Sequence, residues 1–97
     1  MPTYVTLFKW TEQGVKDIRN VPARFDDARK LVEAGGGKTL GIYVTMGDWD
    51  IVAITEGPSD EMAAAAALSI ASRGNSRTTT VRAFTEAEFA EILTKVV

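Results

Sequence analysis

The stretch TMGDWDIVAI, residues 45–54, sets a glycine and two aspartates around a tryptophan, directly before an apolar run. Glycine and aspartate between two segments rich in β-branched residues are typical of a β-hairpin. KTLGIYVTM before the turn and DIVAITE after it are therefore predicted to be paired strands. In the preferred register residues 47–49 form a three-residue loop and Met46 faces Asp50. The alternative is a two-residue turn that pairs Met46 with Trp49.

Two further strands and a first helix are predicted around this hairpin. TYVTLFKW, residues 3–10, and RTTTVRAF, residues 77–84, have the aromatic and β-branched residues typical of strands. Apolar residues at helical spacing over residues 15–34 predict a helix, which Pro22 kinks or divides into two pieces. Three glycines follow and end it, because glycine readily adopts the conformation of a helix C-terminus.

PSDEM, residues 58–62, opens a second main helix, in which Ser59 is a suitable N-cap and Asp60 and Glu61 complement the helix dipole. Thr85 and Glu88 have the spacing of a capping box and open a short amphipathic helix. The order βαββαβ plus a helix predicts one α+β domain over residues 1–97. The expected fold is ferredoxin-like, with a four-stranded antiparallel sheet and both main helices on one face.

The composition disfavours several classes of function. The net charge is −2 with no run of Lys or Arg, so we expect no nucleic-acid partner. The chain has no cysteine and no histidine, and Asp48 and Asp50 alone do not complete an oxygen cage, so we expect no metal and no cofactor. No apolar run approaches the ~20 residues of a membrane span. Without a signal-peptide pattern at the N-terminus, we expect a cytoplasmic protein.

Alternation along the strands separates the side chains into two sets. The aliphatic set is expected under the helices and comprises Val5, Leu7, Leu40, Ile42, Val44, Met46, Val81 and Ala83. The other set is mostly aromatic and hydroxyl-bearing and comprises Tyr4, Thr6, Phe8, Trp10, Tyr43, Thr80, Arg82 and Phe84. Exposed aromatic patches mark interfaces or ligand sites. We therefore expect the aromatic face to be open and to pack against a second copy, giving a homodimer with a cavity between the sheets.

Five residues of the aromatic face are the candidate ligand-binding residues: Tyr4, Phe8, Tyr43, Arg82 and Phe84. Aromatic walls suit a small apolar or aromatic ligand, and Arg82 would orient its anionic or carbonyl end. The alternative for Arg82 is a salt bridge across the dimer.

Asp50 and Tyr43 are the candidate catalytic residues, because a partly dry carboxylate can act as a general base and a phenol can donate a proton. The structural alternatives are that Asp50 caps amides of the hairpin and that Tyr43 is an interface aromatic.

Three segments resemble the GYD domain family: TEQG, GIYVTMGDWDIVAITEGPSDE and GNSRTTTVRAFTEAEF. The resemblance runs from about Tyr4 to Leu93, and the namesake motif falls on Gly47, Trp49 and Asp50. Trp49 replaces the family's tyrosine, so any chemistry of that phenol would be lost here. The resemblance implies a dimeric α/β barrel, in which the sheets of two ferredoxin-like subunits lie face to face.

Two classes of function follow. The first is a small-molecule-binding or regulatory module, and the alternative is a cofactor-independent oxygenase or isomerase. Barrels of this type also include haem enzymes and amino-acid-sensing modules, so the fold does not choose among them. A chain without histidine or cysteine would need a strongly tuned Asp, Glu or Tyr for catalysis, which favours binding. A structural oligomer without a ligand is the third alternative.

Overall fold

Four strands and four helices follow one another in the computed structural model, which describes all 97 residues. The strands form one antiparallel sheet in the spatial order β2-β3-β1-β4. The elements are β1 (Thr3–Trp10), α1 (Glu12–Lys16), a 3-10 turn (Ile18–Asn20), α2 (Val21–Ala34), β2 (Lys38–Val44), β3 (Ile51–Glu56), α3 (Asp60–Ala71), β4 (Ser76–Ala83) and α4 (Glu86–Leu93). This is the predicted ferredoxin-like α+β arrangement, in which α2 and α3 pack against each other over the sheet.

The helical region after β1 is divided, as its proline predicts. Helix α1 begins at Glu12, earlier than expected, because the Thr11 hydroxyl accepts a hydrogen bond from the Gly14 amide and caps it. Gly14 is buried, and a Cβ at this position would overlap the carbonyl oxygen of Asn75. The glycine therefore lets α1 lie directly against the turn that precedes β4.

The other helix boundaries match the sequence signals. Gly36 follows α2 with a φ of 84°, a conformation that favours glycine. The Ser59 hydroxyl accepts the Met62 amide N–H at 3.2 Å and caps α3. At α4 both bonds of the capping box between Thr85 and Glu88 are present.

The β2–β3 hairpin has a four-residue loop, so the preferred three-residue register was wrong by one position. The Thr45 amide donates to the Asp50 carbonyl at 2.8 Å, which leaves residues 46–49 as the loop. The Thr45 hydroxyl also donates to the Trp49 carbonyl at 2.6 Å. This second bond closes the loop across its base, and Gly47 takes a φ of 109° at the tip.

The structure reverses the expected faces of the sheet. Tyr4 and Phe8 are buried, and their side chains lie towards α2 and α3. Val5 and Leu7 alternate with them and lie on the opposite face. The expectation of an open aromatic face was therefore wrong. Large rings are needed on the covered side because the inward residues of α3 are mostly alanines, too small to reach the sheet.

Strand β2 keeps the expected sides, with Ile42 under the helices and Tyr43 on the open side, and it has a β-bulge between Thr39 and Gly41. Beyond the bulge Ile42 pairs with Ala53, which is buried, and so lies under the helices. Tyr43 pairs with Val52 and leaves the aromatic set.

The uncovered side of the sheet is referred to below as the open face. Its centre is apolar and consists of Val5, Leu7, Tyr43, Val52, Ile54 and Val81. Charged residues lie at its two ends: Lys9 and Arg77 at one end, and Lys38 and Glu56 at the other. Tyr43 is 58% exposed and Val81 is 46% exposed, so this apolar surface reaches solvent.

Candidate functional site

A cavity of about 100 Å³ lies inside the subunit, between the sheet and the helices α2 and α3. Its sheet side is formed by alternate residues of β1, namely Tyr4, Thr6, Phe8 and Trp10. Its helix side includes Phe25 and Ala28 of α2 and Ala63, Ala66, Ala67 and Ile70 of α3. Protein interiors normally contain few voids larger than a water molecule, so a cavity of this size is a distinct feature of the fold.

The alanines of α3 explain why the space is open. Of the four residues that α3 contributes to the wall, three are alanines and the fourth is Ile70. On the opposite wall Thr6 and Thr80 are short side chains, and their hydroxyl oxygens lie 3.1 Å apart in a mutual hydrogen bond. Short residues on both walls leave a gap that the neighbouring rings only partly fill.

Two arginines are the only charged residues that line the cavity. The Nη2 atom of Arg24 donates to the backbone carbonyls of Gly14 at 3.1 Å and Asp17 at 2.7 Å. Its Nε atom is buried and has no hydrogen-bond partner. Arg73 forms a 3.5 Å ion pair with Asp27, in which both side chains are about half exposed. A buried guanidinium N–H without a partner is unfavourable and indicates a group that could accept it.

Tyr4 also lines the cavity, and a residue of α3 holds its hydroxyl in place. Its hydroxyl donates to the Asp60 carboxylate at 2.6 Å. This hydrogen bond raises the pKa of Tyr4 above its ordinary value, and burial of the phenol adds to the effect. The hydroxyl of Tyr4 is therefore neutral and committed to the protein.

Arg82 does not line the cavity. It lies over the Phe84 ring, 4.6 Å from its centroid, and its Nη2 atom pairs with Glu88 of α4 at 3.5 Å. It also donates to the backbone carbonyls of Thr3 and Ala83. The hydrogen bond from the Thr85 amide lowers the pKa of Glu88, and Arg82 reinforces this shift. Arg82 is thus surrounded by protein acceptors at the end of β4.

Neither of the two candidate catalytic residues lines the cavity. The Asp50 carboxylate accepts the Trp10 amide N–H at 2.8 Å, and the Asp50 amide donates to the Phe8 carbonyl at 2.8 Å. Asp50 therefore extends the pairing of β1 beyond the start of β3. Tyr43 lies on the open face, opposite Val52.

Of the five predicted ligand-binding residues, the structure brings together Tyr4 and Phe8 at the cavity, whereas Tyr43, Arg82 and Phe84 lie elsewhere. Sequence reasoning missed Arg24 and Trp10 as cavity residues. A signal for Arg24 was present, since it lies three residues after Val21 and four before Ala28, on the inward face of α2. Charged residues at such positions are usually assumed to reach solvent.

No group of three or more acidic, histidine or cysteine side chains is arranged to hold a metal ion. None of the helices combines the length and the apolar character that crossing a membrane requires.

The fold and these features define an α+β protein with a single ferredoxin-like sheet. The chain matches the GYD domain over residues 4–93, and it belongs to the GYD domain family. It is similar to the glutamine synthetase and cystathionine beta-lyase binding protein of Thermus thermophilus. The two are 29% identical over 89 residues, which are 91% of this chain and 94% of that protein.

A solved structure shares the fold. The crystal structure of TTHA0845 from Thermus thermophilus matches with a TM-score of 0.56 and 20% sequence identity, over 88% of this chain and 95% of that one. At this identity the likeness concerns the fold alone.

Proposed function

We propose that the protein is a regulatory binding module that forms a homodimer through the open face and, as a dimer, binds a partner enzyme. The observation that carries the proposal is the apolar centre of the open face, which no main helix covers. Contiguous exposed apolar surface of this kind marks an interface. The open face is mostly aliphatic, whereas the sequence led us to expect an aromatic one. The argument that a second copy covers it is the same.

The exposed area of the chain supports a second copy as the occupant. The isolated subunit exposes 6466 Å², and its mass is 10.5 kDa. A monomeric protein of this mass typically exposes about 5,400 Å², so the subunit has an excess of about 1,000 Å². One side of a specific interface buries about 800 Å². Covering the open face once would therefore bring the exposed surface into the normal range.

The distribution of charge on the open face fits a two-fold pairing. Lys9 and Arg77 are opposite each other at one end, whereas Glu56 lies at the other end, beside Lys38. A two-fold axis across the strands would set Glu56 of each copy near Lys9 and Arg77 of the other. An apolar centre with a charged rim is the usual anatomy of such an interface.

The partner enzyme is suggested by the name of the Thermus thermophilus relative, which describes a protein that binds glutamine synthetase and cystathionine beta-lyase. The two sequences align over nearly their whole lengths, so no additional domain of that relative is needed for the binding. We propose that this chain binds one or both of these enzymes.

The alternative of a cofactor-independent oxygenase or isomerase is less well supported. The Asp50 carboxylate accepts the Trp10 amide N–H, which gives it a structural role in the pairing at the end of β1. Tyr43 is on the opposite side of the sheet from the cavity. Neither candidate is among the residues that line the cavity.

Two measurements test the proposal. Sedimentation equilibrium at micromolar concentration is expected to give a dimer for the natural chain and a monomer for Val81→Glu, which places a charge in the centre of the open face. Ala64→Glu, on an exposed position of α3, is the matched control and should leave the dimer intact. A monomer for the natural chain would disprove the homodimer.

Binding to the enzymes is measured separately, with purified glutamine synthetase and purified cystathionine beta-lyase immobilised on a sensor surface. We expect the natural chain and Ala64→Glu to bind at least one of them, and Val81→Glu to bind more weakly because it cannot dimerise. If the natural chain is dimeric and binds neither enzyme, the enzyme part of the proposal is wrong.

A further inference from the structure

We propose that the cavity between the sheet and the helices of a single subunit binds a short aliphatic monocarboxylate, whose carboxylate is held by Arg24. This site is distinct from the open face and needs no second copy. The inference therefore goes beyond the proposed function and does not rest on it.

The charge of the cavity determines the class of ligand. Its lining contains two arginines and no acidic residue. Arg73 has Asp27 as its partner, and the Nη2 atom of Arg24 is satisfied by backbone carbonyls. The Nε–H of Arg24 is left buried and unpaired. Carboxylates form the strongest hydrogen bonds with guanidinium groups, so one carboxylate oxygen at this nitrogen satisfies the charge and the donor together.

Three of the other polar groups of the wall are already engaged, whereas the hydroxyls of Thr39, Thr55 and Ser76 form no hydrogen bond. The hydroxyls of Thr6 and Thr80 bond to each other, and the hydroxyl of Tyr4 is held by Asp60. Most of the other wall is aromatic or aliphatic. The part of the ligand that enters beyond the carboxylate is therefore mainly hydrocarbon, as most of the wall is.

The volume limits the length of that hydrocarbon. The cavity holds about 100 Å³. An apolar cavity of roughly 150 Å³ accommodates benzene, so this one accepts about three to five carbon atoms. A short, branched chain fits the space between Phe8, Phe25 and Ile70 better than a long or planar one. Isovalerate has the required charge and size, and benzoate exceeds the size.

Binding of the carboxylate would also affect residues outside the cavity. The same Arg24 side chain that faces the ligand holds the carbonyls of Gly14 and Asp17, which belong to α1 and the residue after it. A carboxylate at Nε would fix the guanidinium and, through it, α1. Occupancy of the cavity is thereby linked to the position of a surface helix.

Trp10 provides a direct reporter, because it lines the cavity and is one of only two tryptophans. In a Trp49→Phe background its fluorescence is followed during titration with propionate, isobutyrate, isovalerate and benzoate. We expect a saturable change with isovalerate and none with benzoate. The neutral isostere isovaleramide should bind roughly tenfold more weakly or worse, because it lacks the charge that strengthens a hydrogen bond to guanidinium.

Two variants locate the site. Ala67→Leu fills the cavity and should abolish the change, whereas Ala64→Leu, at an exposed position of the same helix, should preserve it. Arg24→Met should lower the affinity for isovalerate to that for isovaleramide, and circular dichroism reports whether this variant folds. If Arg24→Met does not fold, the Ala67→Leu variant and the comparison of isovalerate with isovaleramide still test the ligand site.

Three results would overturn the inference: no saturable change with any of the short carboxylates, equal binding of isovalerate and isovaleramide, or undiminished binding by Ala67→Leu. The dimer is measured independently, so Val81→Glu should bind isovalerate normally as a monomer. Failure of the ligand site and failure of the homodimer are therefore separate outcomes.

Discussion

The hydroxyl of Tyr4 donates a hydrogen bond of 2.6 Å to the carboxylate of Asp60, and this bond joins the start of β1 to the first residue of α3. The two residues are 56 positions apart in the sequence. The bond crosses a layer that is otherwise mostly apolar, between the sheet and the alanine-rich helix. It therefore sets the position of α3 where side-chain packing alone is loose.

The Tyr4–Asp60 bond predicts a loss of stability at alkaline pH. The bond raises the pKa of Tyr4 above 10.0, so the folded protein keeps a proton that the unfolded chain loses. Its contribution to the free energy of unfolding is complete below about pH 10 and is lost as the pH rises through the folded-state pKa. Urea unfolding at several pH values should show this decline in the natural protein and a smaller one in Tyr4→Phe.

Tyr43 supplies the control for this measurement, because it is the only other tyrosine and is exposed. Tyr43→Phe should retain the alkaline decline, and its single remaining phenol should titrate above pH 10 in absorbance. Equal declines in Tyr4→Phe and the natural protein would contradict the role of the bond.

Asp50 is predicted to act through the Trp10 amide. Asp50→Ala should lower the free energy of unfolding by about 1–3 kcal/mol, because a part-buried N–H loses its acceptor. Asp50→Asn keeps a carbonyl oxygen and should cost less. Asp48→Ala, in the exposed loop next to it, is the control and should change stability little. Chemical denaturation measures all three, and equal costs for Asp50→Ala and Asp48→Ala would refute this role.

Gly47 is predicted to matter through its backbone alone. It has a φ of 109°, and a Cβ there would meet no atom within 4 Å. Gly47→Ala should therefore destabilise the protein by about 1–3 kcal/mol through strain and not through a clash. Met46→Ala is the neighbouring control, since Met46 is 99% exposed. If Gly47→Ala unfolds at the same urea concentration as Met46→Ala, the loop adopts another conformation in solution.

The capping box of α4 predicts a response to acid. The Thr85 amide bonds to the Glu88 carboxylate at 2.9 Å and lowers its pKa below 4.5. The helix should gain this stabilisation fully above about pH 4.5 and lose it as the pH falls through the folded-state pKa of Glu88. The helical chemical shifts of residues 86–93 should follow this titration in the natural protein and be insensitive to it in Glu88→Gln. Glu91→Gln, in the same helix, should behave like the natural protein.

The order of elements could be predicted from the sequence because each boundary has a local cause. Ser59, Thr85 and the glycines after α2 act through bonds or dihedral angles within a few residues. The alternation of β1 and β4 was also predictable, since Val5 shares a face with Val81 and Tyr4 shares a face with Arg82, as the two predicted sets require.

The choice of the covered face could not be made in this way. Alternation shows which residues lie together, but not which set meets the helices. That choice depends on the gap that side chains of the sheet must fill below the helices. The methyl groups of the α3 alanines fill little of this gap, and the rings of Tyr4 and Phe8 fill more of it than the side chains of Val5 and Leu7 could. The candidate site was misplaced for the same reason, since Tyr4 and Phe8 were predicted to face a second subunit. The hairpin register was missed because Thr45 closes the loop through its amide and its hydroxyl, and alternation carries no signal for such bonds.

The bulge near Leu40 makes the two free edges of the sheet unequal. Strand β2 forms one edge, and its hydrogen-bonding groups are interrupted between Thr39 and Gly41. Strand β4 forms the other edge and runs without interruption from Ser76 to Ala83. A regular, threonine-rich edge is a better template for an added strand than a bulged one. If unfolded or partly folded chains aggregate by edge-to-edge pairing, they are expected to add at β4, and Thr78→Pro, at a position whose N–H faces away from β1, would be the substitution that blocks growth there.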